Sequence, residues 1–264
     1  MSRWQLWLLG WALSALLLLG LYLLQRRTKD ATAVDAGWGA SLVLCAALYA
    51  LLGPGALAQR LLIAVPVALE NGRIASLVRA RLGKGEDSRY RELRQRWRER
   101  GREQRTFAIF YQAQAFLAAL LSVPALLACF NRDASVAPVQ WLGLALFAVA
   151  FALEWTADRQ LAAFRADPAN RGGVMRAGLW RYSRHPNYFF QTLTWVAYAL
   201  IALPAPWGWL ALLAPALILY LVLFVTGLPP AEESSLRSRG EAYRRYQRET
   251  SAFVPWFPKR SSTV

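Results

Sequence analysis

The sequence holds one histidine, His185, two cysteines and two methionines among 264 residues. Its cysteines, Cys45 and Cys129, lie far apart, so neither a disulfide framework nor metal-ligand spacing is available. Both fall in apolar stretches, where a thiol reads as a small core side chain. No G-x-G-x-x-G follows a strand-like run, which excludes a Rossmann cofactor domain. Flavin motifs, metal motifs, internal repeats and low-complexity tracts are missing as well. So are alternating ten-residue patterns, which argues against a membrane β-barrel. Acids are scarce, 16 against 31 Lys and Arg, leaving a net charge of +15.

Apolar residues are what the chain has in quantity. They make up 56% of it, and the mean hydropathy is +0.24. A helix needs about 20 apolar residues to cross a hydrocarbon core of about 30 Å. Seven stretches approach that length, at 4–24, 37–52, 56–78, 106–129, 139–158, 187–203 and 207–227. The second and third are parted by "GPG" (53–55), the fourth and fifth by "NRDASVAP", and the sixth and seventh by "PAP" (204–206). The first has a long apolar run, no small-residue cleavage site after it and only Arg3 before it, so it reads as a retained helix. The expected fold is therefore an all-α polytopic membrane bundle of about seven helices.

Charge placement predicts the orientation. The segments 25–35, 71–105, 159–186 and 228–264 carry 28 of the 31 Lys and Arg, all except Arg3, Arg60 and Arg132. Cationic loops stay on the cytoplasmic side, so the N-terminus is expected outside and the C-terminus inside. With seven spans the positive charge reads as membrane topology, and no nucleic-acid partner is expected.

Three inner segments can carry chemistry. In 83–105, acids and bases alternate at helical spacing, as on a solvated or headgroup-contacting helix, with Glu86, Asp87 and Tyr90 at its start. In 154–188, Glu154 and Asp158 lie one helical turn apart at the inner end of the fifth stretch, where an acid calls for a partner or a function. The third segment is "RYSRHPNYFFQ" (181–191). Pro186 suits the first position of a helix, which puts His185 near its cap with Arg181 and Arg184 beside it. Free N–H groups at a helix start together with two arginines read as a phosphate or carboxylate seat. The plainer reading is a capping histidine with arginines on lipid headgroups. Asn187, Gln191, Thr194 and Tyr198 follow at helical spacing, a polar stripe expected to line a substrate cavity.

"GLWRYSRHPNYFFQTLTWVAYAL" (178–200), "EWTADRQLAAFRADPANRGG" before it and "EAYRRYQRETSAFVPWFP" (241–258) after it resemble the steroid 5-alpha-reductase-like family, in its bacterial integral-membrane branch. "VDAGWG" (34–39), "NGRIASLVRARLGKGEDSRY" (71–90) and "FYQAQAF" (110–116) extend the resemblance over nearly the whole chain. It implies a bundle open to the cytosol that uses NADPH to reduce a carbon–carbon double bond in a lipid-like, steroid or enone-type substrate. Residues 1–130 would form the substrate-side half and 131–264 the cofactor-binding half.

By that resemblance Asp158, Arg181, His185, Asn187, Tyr188 and Tyr243 are cofactor-binding positions, joined by Arg73 and, from the anion seat, Arg184. The arginines around 171–184 favour NADPH over NADH, since a 2′-phosphate needs cations. The steroid reductases place a glutamate on the second helix and a tyrosine on the third. The comparable residues here are Asp35 and Glu70, with Tyr111 as a further donor. One departure is clear: the family usually continues Phe-Gly-Glu after "RHPNY", and this chain has Phe189-Phe190-Gln191. The expected partners are a lipid-like small molecule and membrane lipids, and the expected location is a bacterial inner membrane.

A second enzyme class shares the turn. Isoprenylcysteine carboxyl methyltransferases carry "RHP-x-Y" and paired glutamates before "Y-x-x-Y", matched here by Glu232-Glu233, Tyr243 and Tyr246. Their S-adenosylmethionine has a carboxylate and no phosphate. A non-enzymatic lipid-binding protein is the third reading.

Overall fold

The computed structural model describes residues 1–79, 83 and 85–259, all of them in helices, turns and connections without a strand among the described residues. Among the described residues ten α-helices succeed one another: α1 Arg3–Thr28, α2 Val34–Leu52, α3 Leu57–Arg79, α4 Ser88–Glu99, α5 Glu103–Leu121, α6 Val123–Ala128, α7 Pro138–Ala166, α8 Pro186–Ala202, α9 Leu213–Tyr220 and α10 Leu228–Glu249. Six helical stretches among the described residues are long and apolar enough to cross a membrane. The protein is an integral membrane helix bundle. The expected sixth span, α8, has 17 residues, at the lower limit of about 17–25 for a crossing.

Helix ends follow local chemistry. Ser2 and Gln5 form a reciprocal capping box at the start of α1, and Lys29 closes the helix in the left-handed region at φ 57°. The α2–α3 reversal depends on close approach: Gly55 N–H donates to the Cys129 carbonyl at 2.9 Å, and Ala56 N–H to that of Asn131 at 2.9 Å. A Cβ at Gly55 would lie 2.5 Å from the Cys129 carbonyl oxygen. The expected fourth stretch is two helices, α5 and α6, parted at Ser122.

The expected seventh stretch is three successive pieces: a 3₁₀ turn at Gly208–Leu212, then α9, then a wide turn at Leu221–Val225 closed by Thr226 N–H on the Leu221 carbonyl at 2.7 Å. The stretch Gly208–Glu249 covers 42 residues but is not one straight helix: it bends at residues 226–227 and is kinked at Gly240, whose φ of 52° and ψ of −126° are not helical. Its apolar part ends by Gly227, and α10 beyond it is charged along its length, outside the span.

The chain divides into two compact units, Met1–Trp141 with Leu200–Ala211, and Leu142–Ala199 with Leu212–Val264. In the first, α1, α2, α3 and α5 pack side by side. Large apolar side chains such as Leu16, Leu61, Ile109 and Trp141 face outward, while Ser14, Ser41, Gln59 and Gln140 are buried. That inversion suits a lipid-facing surface, with polar groups bonded inside. Gln140 Nε2 donates to Gln59 Oε1 and, at 2.8 Å, to the Ile201 carbonyl. In the second unit, Phe147 stacks on Tyr198 at 6.0 Å and Trp180 Nε1 donates to the Ala157 carbonyl at 2.9 Å, which docks the turn before α8 onto α7.

Candidate functional site

The turn Gly178–Arg181 and the start of α8 are held from both sides. Gln160 Oε1 accepts from Leu179 N–H at 3.0 Å. A Cβ on Gly178, whose φ is +58°, would collide with the Gln160 side chain. From the other side comes the tail after α10: Arg184 N–H donates to the Ser251 carbonyl at 2.9 Å, and Trp256 N–H to that of Tyr182 at 2.9 Å. Ser183 Oγ accepts from His185 N–H at 3.1 Å and donates to the Phe253 carbonyl at 2.8 Å. Tyr246 OH donates to the carbonyls of Trp180 and Ser183. Pro186 begins α8, as its fixed φ suggests.

Glu232, one turn into α10, is the centre of this region. Arg184 grips it with both arms, Nε to Oε1 and Nη2 to Oε2, each at 3.0 Å. His185 Nε2 lies 2.7 Å from Oε1 and Tyr243 OH donates to the same oxygen at 2.7 Å, while Gln247 Nε2 donates to Oε2. Burial alone would raise the Glu232 carboxyl; the bonds from His185, Arg184, Gln247 and Tyr243 outweigh it and hold the group well below the usual carboxylate range. Burial and the bond to Glu232 push the Tyr243 phenol up. The carboxylate in the seat read from the sequence is thus the chain's own. Arg184 also donates from Nη1 to the carbonyls of Gln247 at 3.1 Å and Thr250 at 2.7 Å.

Sequence reasoning placed Arg184, His185 and Tyr243 here, named Glu232 only as one of the paired glutamates of the methyltransferase motif, and left Gln247 out. A pair of acids just after "PP" was the available signal. Nothing along the sequence marks which of Glu232 and Glu233 turns inward; Glu233 is exposed and pairs with Arg237.

Next to this cluster lies a second group. Asn187 Nδ2 donates to Asp158 Oδ1 at 3.1 Å, joining α8 to α7. Asn187 Oδ1 is buried and has no hydrogen-bond partner. Leaving a buried carbonyl unpaired costs about 1–3 kcal/mol, so this oxygen is an acceptor waiting for a donor. Arg181 is exposed at the end of the turn. The Tyr188 ring lies parallel to the His185 imidazole, centroids 5.5 Å apart. Glu154, one turn before Asp158, is buried.

Further along α8 the stripe changes character. Gln191 is half-buried, but Thr194 is fully buried with its hydroxyl on the Phe190 carbonyl, and Tyr198 packs between Phe147 and Trp195. Those last two positions serve packing. Phe190 is buried edge-on against Phe189.

The acids and donors expected in the first unit are also engaged. Asp35 Oδ2 accepts from Arg89 Nη2 at 2.9 Å, and Oδ1 accepts from Tyr90 OH. Burial and the Asp35 charge push the Tyr90 phenol well above its ordinary value, so it keeps its proton. Glu70 and Arg73 form a buried ion pair one turn apart on α3, at 2.6 Å. Tyr111 packs among Leu18, Val34, Tyr90 and Phe107. Arg94, buried, joins Glu86 at 2.7 Å, Glu103 at 2.6 Å and Gln25 at 3.1 Å, with its guanidinium over the Phe107 ring at 4.5 Å, and so ties α4 to α1 and α5. Lys84, in the same segment, lies outside the described residues. No group of three His, Cys, Asp or Glu able to hold a metal occurs among the described residues.

The sequence model of a family described as protein of unknown function (DUF1295) matches residues 21–250. No curated protein and no solved structure matches the chain.

Proposed function

The chain belongs to the family described as protein of unknown function (DUF1295), and from the groups at the start of α8 we propose that it is a membrane-embedded, NADPH-dependent reductase of a carbon–carbon double bond in a lipid-like, steroid or enone-type molecule. The resemblance to steroid 5-alpha-reductase-like proteins supports the reaction class. The observation that carries the cofactor reading is the buried, unpartnered Oδ1 of Asn187, held in place by the bond to Asp158. A dinucleotide is rich in donors suited to such an oxygen, in its carboxamide and ribose hydroxyls. Arg181, exposed six residues earlier at the end of the turn, supplies a cation for a phosphate.

When bound, NADPH supplies a hydride to one alkene carbon. The residues do the rest. Asp158 orients Asn187, and the Asn187 carbonyl fixes the orientation of a ligand donor. Glu232 holds Arg184 and His185 in one geometry, so that the backbone of 181–185 presents a rigid edge. The other carbon needs a proton donor. The cation-rich segments support an orientation with the N-terminus outside and the C-terminus inside, and the resemblance supports a bacterial inner membrane with its lipids around the bundle.

One observation favours the methyltransferase reading. Arg184 and His185, expected to meet cofactor phosphates, are bound to Glu232, which leaves fewer cations for a pyrophosphate and suits S-adenosylmethionine, a ligand without phosphates. Parallel calorimetric titration of NADPH, NADH and S-adenosylmethionine into the purified protein in nanodiscs separates the two. Saturable binding of NADPH with none of S-adenosylmethionine is expected; the reverse moves the site to methyl transfer.

A further inference from the structure

Two of the three arginines that the charge distribution does not assign to an inner segment, Arg3 and Arg132, meet in one cavity of about 570 Å³. Its walls are Met1 and Arg3 at the start of α1, Pro54 of the α2–α3 reversal, Phe130 to Asp133 after α6, and Pro206 after α8, all within the first unit. The size falls in the range of small-molecule sites, about 300–1,000 Å³. The third such arginine, Arg60, lies outside this cavity and donates from Nη1 to the Ala50 carbonyl at 2.8 Å, with its Nε buried and without a hydrogen-bond partner.

The cavity is built on fixed parts. Gly55 and Ala56 bond the carbonyls of Cys129 and Asn131, locking the reversal to the wall opposite. The Arg3 guanidinium lies over the Phe130 ring at 5.3 Å, and its Nε is buried with no hydrogen-bond partner. The nearby acid does not neutralise it: Asp133 Oδ1 accepts from the Ser135 N–H at 2.9 Å and hydroxyl at 2.8 Å, and neither arginine pairs with Asp133 among the described residues. A prepositioned guanidinium with an unmet donor, in a cavity that a second arginine also lines, is a phosphate-binding arrangement.

The surroundings say where the phosphate comes from. Trp4, Trp141, Trp207 and Trp209, at the start of α1, the start of α7 and just after α8, are 59–77% exposed. Exposed indoles at helix ends mark the headgroup level of a bilayer. Met1, Phe130 and two prolines give the cavity an apolar wall beside its cations. We propose that this cavity binds the phosphodiester of an anionic phospholipid, gripped by Arg3 and Arg132, at the membrane face where α1 begins. It is a second ligand site, independent of the α8 site.

The test titrates short-chain phosphatidylglycerol and, separately, inorganic phosphate into delipidated protein in uncharged detergent, followed by calorimetry. Saturable phosphatidylglycerol binding, weakened about tenfold or more in Arg3→Gln/Arg132→Gln, is the expected result. Asp133→Asn, which removes the one acid in the wall, is expected to tighten it. Should the double variant misfold, Arg132→Gln alone alters only an exposed side chain and is expected to weaken binding about fivefold. Phosphatidylglycerol binding unchanged in these variants, or inorganic phosphate bound as tightly as the lipid, overturns the proposal.

Discussion

Glu232 receives five hydrogen bonds from four side chains, and removing its charge leaves Arg184 half-buried without a counterion. Glu232→Gln is expected to lower stability by about 1–3 kcal/mol, read as a fall in thermal midpoint in detergent. The pH dependence follows from the sign of the shift. Because the folded carboxyl lies below its unfolded value, its contribution is complete above about pH 5 and is lost as pH falls. The wild type is thus expected to lose thermal stability on acidification below about pH 5, and Glu232→Gln to lose less over the same range; parallel slopes would remove Glu232 from that role. Pro186 as a helix start was readable from the sequence because the reason is local. The four donors to Glu232 lie 11 to 48 residues away, and only the folded tail brings them together.

Among elements, α4 and the α2–α3 reversal make contrasting cases. α4 is short, polar and arginine-rich, and by itself reads as a solvated helix; what fixes it is the buried Arg94 between Glu86, Glu103 and Gln25. Arg94→Ala is expected to cost about 2–4 kcal/mol and to expose α4 to limited proteolysis, because two carboxylates lose their shared cation. The reversal needs no charge. Gly55→Ala puts a methyl against the Cys129 carbonyl and is expected to cost about 2 kcal/mol or more, measured as lowered thermal stability. "GPG" announced that turn, since glycine and proline have few other uses between two apolar runs. The break at Ser122 and the wide turn at Leu221–Val225 were not announced, because uniformly apolar sequence hides changes in helical pitch.

At the scale of the whole molecule, the all-helical membrane character was legible because hydrocarbon thickness sets a length that composition alone reveals, while the count differs, six candidate spans among the described residues against about seven expected. The short α8 is the exception, and its 17 residues leave six stretches that suit a crossing by length and composition. The orientation predicted from charge has a direct check. In cells, Ser2→Cys is expected to react with a membrane-impermeant maleimide from outside, and Ser234→Cys only after permeabilisation; both are exposed, whereas the native Cys45 and Cys129 are buried. The reverse labelling would invert the topology.

The central claim is that the Asp158–Asn187 group at the start of α8 holds NADPH. The measurement is NADPH affinity of the wild type and Asn187→Ala, side by side in nanodiscs, with thermal midpoints recorded for both. The account predicts saturable binding that weakens about tenfold in Asn187→Ala, with a fall in thermal midpoint no larger than loss of the single bond to Asp158 produces, about 1 kcal/mol, since the lost acceptor is unmet in the protein alone. Equal affinity in both proteins, or no NADPH binding by the wild type, would contradict it.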